Sequence, residues 1–332
     1  MKQDIIDSIN QFALQDNPFL FVIDYLGMEA YIHRLADINP NECLYDFEGI
    51  SNVREGLMAS EAAPQLRHWQ VDAPRYEDYK RGFDTVKANI LAGNSYLTNL
   101  TCQAPVSCNL SLRDIFLQAK GKYKLLLHTP NSRHGHFVCF SPETFVKIKD
   151  GRIYSYPMKG TLDAAVPDAE RILMEDKKEA AEHATIVDLI RNDLSRIATQ
   201  VRVDRYRYID VLHTNQGDIL QTSSEVSGRL PDDYRDHLGN ILNAQLPAGS
   251  ITGAPKPKTV EIIHEAETYE RGFYTGIMGI YAHGELNSAV MIRFIEETDT
   301  GWLFKAGGGI TSQSDCRREY EEVIQKMYLP IE

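Results

Sequence analysis

Residues 144–162 read TFVKIKDGRIYSYPMKGTL. Apolar and polar residues alternate on both sides of Asp150-Gly151, the pattern of two strands joined by a two-residue turn. The second strand then runs into Pro157-Met158-Lys159-Gly160, where a lysine stands between a proline and a glycine turn. A solvated surface lysine needs no such frame, so Lys159 reads either as an ordinary surface cation or as a group held to meet a substrate.

The reading extends outward from this hairpin. NPFLFVIDYLG (17–27), YKLLLHT (123–129) and HFVCFSP (136–142) read as strands, and GIMGIYAHGELNSAVMIRF (276–294) as a second hairpin turning at His283-Gly284. WLFKAGGG (302–309) reads as a strand running into a flexible glycine loop. Tyr76, Tyr79, Phe83, Val86 and Ile90 recur at helical spacing, with Gly93 as a C-cap. From Asp168 to about Ile197 the pattern is helical, with Ala180, Ala184, Val187 and Leu194 on one face. GAPKPKTVEIIHEAE (253–267) opens a helix with prolines, and SDCRREYEEVIQKMY (314–328) is a closing helix capped by Ser314 or Asp315. Strands and helices mix without regular βαβ alternation. That favours an α/β fold of the α+β kind, with large antiparallel sheets, over a doubly wound parallel one. No linker or repeat divides the 332 residues, so one domain is expected.

Composition narrows the function classes. The chain is 43% hydrophobic and 25% charged, which suits a soluble globular protein with ample core. A net charge of −12 excludes a general nucleic-acid binder, which needs a basic face. Any anionic substrate must then be met by local positive charge. Cys43, Cys102, Cys108, Cys139 and Cys316 are odd in number and lack C-x-x-C spacing, so a reducing compartment and no zinc site are expected. No apolar run approaches the roughly 20 residues of a membrane span, and the acidic, amphipathic N-terminus is not a signal peptide. The expected location is the cytoplasm.

Several constellations carry chemistry. KKEAAEH places Glu179 and Glu182 one helical turn apart, and RREYEEV does the same for Glu319 and Glu322. Alone, each pair reads as a solvated helix face. Brought together, the two pairs would repel unless a cation lay between them, and carboxylate oxygens suit a hard dication such as Mg²⁺. GSITGAPK (249–256) is not a P-loop, since no Gly-Lys-Ser/Thr is present, but it feeds a helix N-terminus and so has the form of an anion site. AGGGI (306–310) offers N–H groups that a carboxylate can approach closely. Arg293 has the fork for a bidentate grip on a carboxylate. Glu143 follows a strand and a proline. For each of these the plain alternative is a turn or a solvated side chain.

Together the stretches SPETF, YPMKGTL, KKEAAEHATIVDLIRNDLSRI, PAGSITGAPK, MIRF, AGGGI and REYEE resemble the chorismate-utilising enzymes, a family of anthranilate, aminodeoxychorismate, isochorismate and salicylate synthases. They stand in the family's order from about Gly93 onward. The resemblance implies a single domain over 1–332, with a shortened N-terminal part, 1–75, and a catalytic core, 76–332. It implies two large antiparallel sheets packed as a sandwich and flanked by helices.

Anthranilate synthases resemble P-I-A-G-T at the central motif. The P-M-K-G-T of this chain is similar to the aminodeoxychorismate synthase form. That likeness implies a lysine, Lys159, that attacks ring carbon 2 of chorismate, with ammonia then entering at carbon 4, in a route to p-aminobenzoate and folate. It further implies Mg²⁺ on Glu182 and Glu322, with Glu179 and Glu319 beside it. Glu143 would be the acid for the leaving hydroxyl. Ser250, Thr252, Lys256 and the amides of Gly307, Gly308 and Gly309 would hold substrate, and Arg293 would take the enolpyruvyl carboxylate.

Departures from the family pattern also matter. Gln221 stands where many members have a histidine, and a glutamine cannot serve as an acid near neutral pH. The usual G-Y reads Gly279-Ile280, so Tyr281 could substitute only with a one-residue shift. No L-L-E-S-like segment is present, so no tryptophan site is expected. The base lysine of the isochorismate synthases has no clear match in Lys124 or Lys147. None of the five cysteines lies in a G-x-C-x-G elbow, so ammonia is expected from a separate glutamine amidotransferase subunit or from solution.

Overall fold

The computed structural model describes residues 1–53, 64–130, 132–214 and 217–331, so part of the N-terminal segment, 54–63, lies outside the described residues. In chain order the strands are β1 (Phe19–Ile23), β2 (Ala30–Arg34), β3 (Cys43–Phe47), β4 (Ile50–Ser51), β5 (Trp69–Val71), β6 (Leu97–Cys108), β7 (Tyr123–His128), β8 (His136–Ser141), β9 (Thr144–Lys149), β10 (Arg152–Ser155), β11 (Met158–Asp163), β12 (Thr199–Thr214), β13 (Gly217–Arg229), β14 (Gly253–Ala254), β15 (Ile277–Ala282), β16 (Glu285–Val290), β17 (Phe294–Thr298) and β18 (Gly301–Ile310). The helices are α1 (Gln3–Leu14), α2 (Tyr76–Leu91), α3 (Leu112–Gln118), α4 (Ala169–Glu175), α5 (Lys177–Ser195), α6 (Leu238–Gln245), α7 (Lys256–Ala266) and α8 (Cys316–Gln325).

The strands form two nine-stranded sheets. One runs β11-β13-β10-β9-β16-β15-β1-β2, with β12 also on β13; the other runs β14-β6-β18-β17-β8-β7-β3-β4, with β5 on β6. Neighbours pair antiparallel throughout. Both turns read from the sequence are present. Asp150 and Gly151 take φ of 50° and 70°, and His283 and Gly284 take 52° and 80°, the left-handed pair that a two-residue hairpin requires.

The sheets pack face to face. Leu20, Val22, Met278, Ile280 and Ala289 from the first meet Tyr45, Phe47, Leu125, Leu127, Phe137 and Phe294 from the second. On the outer face of the first sheet, Phe19, Phe21 and Ile23 pack with residues of α1, α5 and α6. On the outer face of the second, Leu100, Ala104 and Phe304 pack with α2, α3, α7 and α8. This double burial explains the unbroken apolar run of β1, since neither of its faces meets water. No helix among the described residues is long and apolar enough to cross a membrane.

Three local expectations are corrected. The helical stretch from Asp168 is two helices broken at Asp176, whose backbone is extended and whose carboxylate caps the second helix by accepting from Glu179 N at 2.9 Å. The buried face of α5 is His183, Ile186, Val187 and Leu194, whereas Ala184 is exposed. The glycines of 307–309 are not a loop but the end of β18, paired in register with Thr101, Leu100 and Asn99 of β6. A flexible reading overlooked that pairing partner.

Candidate active site

The frame around Lys159 is a break in strand register. Between Met158 and Thr161 the pairing of β11 with β13 shifts, so Lys159 and Gly160 fall out of the ladder. Such irregularities re-aim a side chain. Gly160 takes φ 82°, and a Cβ there would lie 3.1 Å from Glu179 Oε2. The glycine thus allows both the turn and the close approach of α5. The Thr222 hydroxyl donates to the Lys159 carbonyl and fixes the released segment.

Lys159 points toward α5, with Nζ 2.8 Å from Glu182 Oε2. Lys178 lies beneath, its Nζ 3.7 Å from Glu182 Oε1. Burial pulls the Lys159 ammonium down. Glu182, with Glu179 and Glu322, outweighs that and holds it above the ordinary lysine value. Paired in this way, Lys159 is a protonated cation, and only its neutral form could act as a nucleophile.

One member of each glutamate pair, Glu179 and Glu322, lines a common cavity, Glu182 lines a second one beside it, and Glu319 lines neither. α5 contributes Glu179 and Glu182, and α8, capped by Asp315, contributes Glu319 and Glu322. Glu322 is held by Lys326 at 2.8 Å, and Lys326 also donates to Gly307 O at 3.1 Å. Burial raises Glu179, with Glu182 adding to it, and burial likewise raises Glu319 beside Glu322. For Glu322 burial is overcome, chiefly by Lys326, and its carboxyl lies below the usual range. Among the described residues no three His, Cys, Asp or Glu side chains converge at coordinating distance. The donors are nonetheless all carboxylate, and Glu179 Oε2 is buried with no hydrogen-bond partner. That set fits a hard dication held by few protein oxygens, the remaining positions going to water and ligand.

Two cavities meet at Lys159. One, of about 550 Å³, is lined by Glu179, Gln221, Arg293, Gly307, Gly308 and Glu322 among others. The second, of about 440 Å³, is more apolar and is lined by Leu97, Ile186, Ile190 and Ala248 together with Glu182. Glu143, Met158, Lys159, Ser250 and Gly309 belong to both. Ser250 Oγ donates to Glu143 Oε1 at 2.5 Å. Burial raises the Glu143 carboxyl, while the Ser250 hydroxyl and the Arg293 cation pull it back. A carboxyl so raised is suited to deliver a proton.

The remaining expected residues are distributed differently. Arg293 lines the larger cavity, with its guanidinium carbon 5.7 Å from the centre of the Tyr328 ring. Gln221 also faces that cavity from β13. Thr252 is fully buried beneath the loop and lines neither cavity. Lys256 lines neither cavity; its Nζ is bound to Asp193 at 2.8 Å and Gln245 O at 2.7 Å, two residues of the smaller cavity's wall, so it braces α5 against α6 from behind that wall. Tyr281 is buried against Phe19 in the first sheet. Lys124 and Lys147 lie outside the cleft, bonded to Phe116 O and Ala119 O and to Glu48 respectively. Lys178 and Lys326 were missed. Each stands four residues from a glutamate, Lys178 within α5 and Lys326 at the C-cap of α8, a spacing that signals pairing in the sequence.

Comparison with known proteins identifies the family. A family described as chorismate binding enzyme matches residues 27–332. A Haemophilus influenzae protein named as an uncharacterized PabA-like protein is 45% identical over 99% of this chain and 97% of its own length. The aminodeoxychorismate synthase component 1 of Bacillus subtilis is 31% identical over 77% of this chain, which spans 55% of that relative. Among solved structures, anthranilate synthase component I of Streptococcus pneumoniae superposes with a TM-score of 0.65 at 27% identity, covering 80% of this chain and 59% of that one. The fold and the matched span together place this chain in the family of chorismate-binding enzymes.

Proposed function

We propose that the chain is the chorismate-converting component of an aminodeoxychorismate synthase, using Mg²⁺ and ammonia to make 4-amino-4-deoxychorismate. The observation that carries the reading is Lys159, whose amine lies in the cleft between Glu182 and Glu143's side of the cavity. The relatives named as aminodeoxychorismate synthases support the assignment.

Glu182 and Glu322 would hold the Mg²⁺, with Glu179 and Glu319 beside them. When bound, the ion supplies charge that grips the ring carboxylate of the substrate. Arg293, which lines the same cavity, would pair with the second carboxylate, and Ser250 and the amides of the glycine strand would close the wall around the first. This resolves the difficulty of an acidic protein that binds a dianion.

Lys159 reacts as the neutral amine, so its pair with Glu182 must part first. The amine nitrogen bonds to ring carbon 2 and becomes a secondary ammonium, both conjugated ring double bonds shift, and the bond from carbon 4 to oxygen breaks. Glu143 gives its proton to the departing hydroxyl. Ammonia then bonds to carbon 4 as an ammonium, both double bonds shift back, and the bond from carbon 2 to the lysine ammonium nitrogen breaks, releasing Lys159 as the neutral amine. Two displacements replace one difficult substitution. A glutamine amidotransferase subunit would supply the ammonia.

Product analysis with chorismate, Mg²⁺ and ammonium at mildly alkaline pH tests the reading. Aminodeoxychorismate is the expected product. Anthranilate or isochorismate would keep the family and overturn the role given to Lys159.

A further inference from the structure

The cleft wall is assembled from segments far apart in sequence, and one buried cation joins them. Arg271 lies behind the wall, only 4% exposed and not itself lining either cavity. Its Nη1 donates to Ile251 O at 3.0 Å and to Thr275 Oγ1 at 3.3 Å, and its Nη2 donates to Asn99 O at 2.8 Å. Ile251, Thr275 and Asn99 all line the larger cavity. They come from the Ser250 loop, from the turn before β15 and from β6.

The guanidinium is fixed from its other edge. Glu267 accepts from Nε at 2.9 Å and from Nη2 at 2.7 Å, a bidentate pair with both side chains 2% exposed. The face of the Tyr25 ring lies 4.6 Å below. Glu267 also accepts from Thr101 N and Thr101 Oγ1, each at 2.8 Å. Thr101 is the register partner of Gly307. The carboxylate therefore ties the guanidinium to the glycine strand across the cleft wall.

Thr275 is held in the left-handed region at φ 62°, which a β-branched residue adopts only under constraint. A fork of this geometry cannot be replaced by an ammonium, which has neither the planarity nor the five directed donors.

We infer that Arg271, clamped by Glu267, is a positioning residue that sets the spacing between the Ser250 loop and the Gly307–Gly309 strand, and so the grip on a substrate carboxylate. This rests on the proposed function for the identity of the ligand, but the geometry it claims can be read without that ligand.

The test compares wild type, Arg271→Lys, Ser250→Ala and the double variant. Chorismate binding is followed by calorimetry with Mg²⁺, turnover by KM and kcat, folding by thermal unfolding, and the wall by amide hydrogen exchange. In folded Arg271→Lys, chorismate affinity should fall tenfold or more, with KM rising more than kcat falls. Exchange should quicken in 249–253 and 97–101 while the sheet interiors stay protected. The loss caused by Ser250→Ala should shrink or vanish in the Arg271→Lys background, because its hydroxyl is no longer held in place. Unchanged affinity, or losses that simply multiply, would overturn the inference even if the protein melts earlier. If Arg271→Lys does not fold, Glu267→Gln is read in the same way; failure of both to fold would make the pair a folding element and overturn the inference. If wild type binds no chorismate, the proposed function falls, and the exchange pattern alone then decides whether Arg271 sets the wall.

Discussion

Lys159 Nζ lies 2.8 Å from Glu182 Oε2, so a strand at the edge of one sheet is tied to α5 through the proposed nucleophile and a proposed metal ligand. The pairing makes the amine a cation at rest. Replacing Lys159 by alanine should remove the covalent route and lower aminodeoxychorismate formation at least about 100-fold, since the nucleophile cannot be replaced by its neighbours. Any residual product should shift toward anthranilate-like chemistry. Liquid chromatography of the products decides it, and undiminished aminodeoxychorismate would refute the nucleophile.

Glu182 sets the proton affinity of that lysine. Burial alone would lower it, and the carboxylates reverse the sign. In Glu182→Gln the largest opposing partner is gone while burial stays, so the Lys159 pKa should fall. The neutral amine is the form that reacts with trinitrobenzenesulfonate, so the midpoint of Lys159 labelling should move to lower pH. Peptide mass spectrometry across a pH series measures this without any turnover. A midpoint that stays or rises would mean that the carboxylate does not control the amine.

How much of this was legible in the sequence depends on how local the cause is. The hairpin at Asp150-Gly151 and the lysine frame are short-range features, and both were readable. The glutamate pairs were readable as pairs, but that α5 and α8 face one cleft is set by two sheets meeting, which no spacing reveals. Lys256 misled because GSITGAPK has the look of an anion loop, whereas Asp193, 63 residues earlier, takes the charge. Ser250 and Thr252 part because Gly249–Ile251 form a tight helical turn: Ser250 lines both cavities, whereas Thr252, which ends the turn, is fully buried. Arg271 was invisible, since its partners Asn99, Ile251 and Thr275 are gathered only by the fold.

The Ser250–Glu143 contact gives a pH prediction. Glu143 is raised by burial, and the Ser250 hydroxyl opposes that rise. Ser250→Ala removes the opposition, so the carboxyl should titrate at a higher pH than in wild type. An acid acts in its protonated form, present below its pKa, so the alkaline limb governed by Glu143 should move upward. The kcat–pH profile measures it. A downward shift would mean that the hydroxyl stabilises the protonated form.

Glu322 pairs with Lys326 in this structure, and the proposed function gives it to Mg²⁺. Glu322→Gln keeps the shape and loses the charge. Calorimetric Mg²⁺ titration should show affinity reduced by about 10-fold or more, the range in which losing a group that supports a metal is felt. Chelation of wild type should likewise abolish activity and restore it on adding Mg²⁺. Unaltered Mg²⁺ affinity in Glu322→Gln would remove that residue from the metal site.

The glycine strand separates space from flexibility. A Cβ on Gly307 would lie 2.5 Å from Thr101 Cγ2 and 2.9 Å from Leu100 O, inside the paired β6. A Cβ on Gly308 would meet nothing closer than Val323 Cγ2 at 3.6 Å. Gly307→Ala must therefore push against backbone and should cost about 1–3 kcal/mol. Gly308→Ala finds ordinary contact and should change stability by less than about 0.5 kcal/mol. Its methyl would nonetheless stand 3.7 Å from Glu319 Oε2, at the rim of the carboxylate cleft. Thermal unfolding of the two variants should show Gly307→Ala melting several degrees lower and Gly308→Ala melting like wild type. If these residues formed a mobile loop, both substitutions would be equally tolerated, so equal melting temperatures would refute the strand.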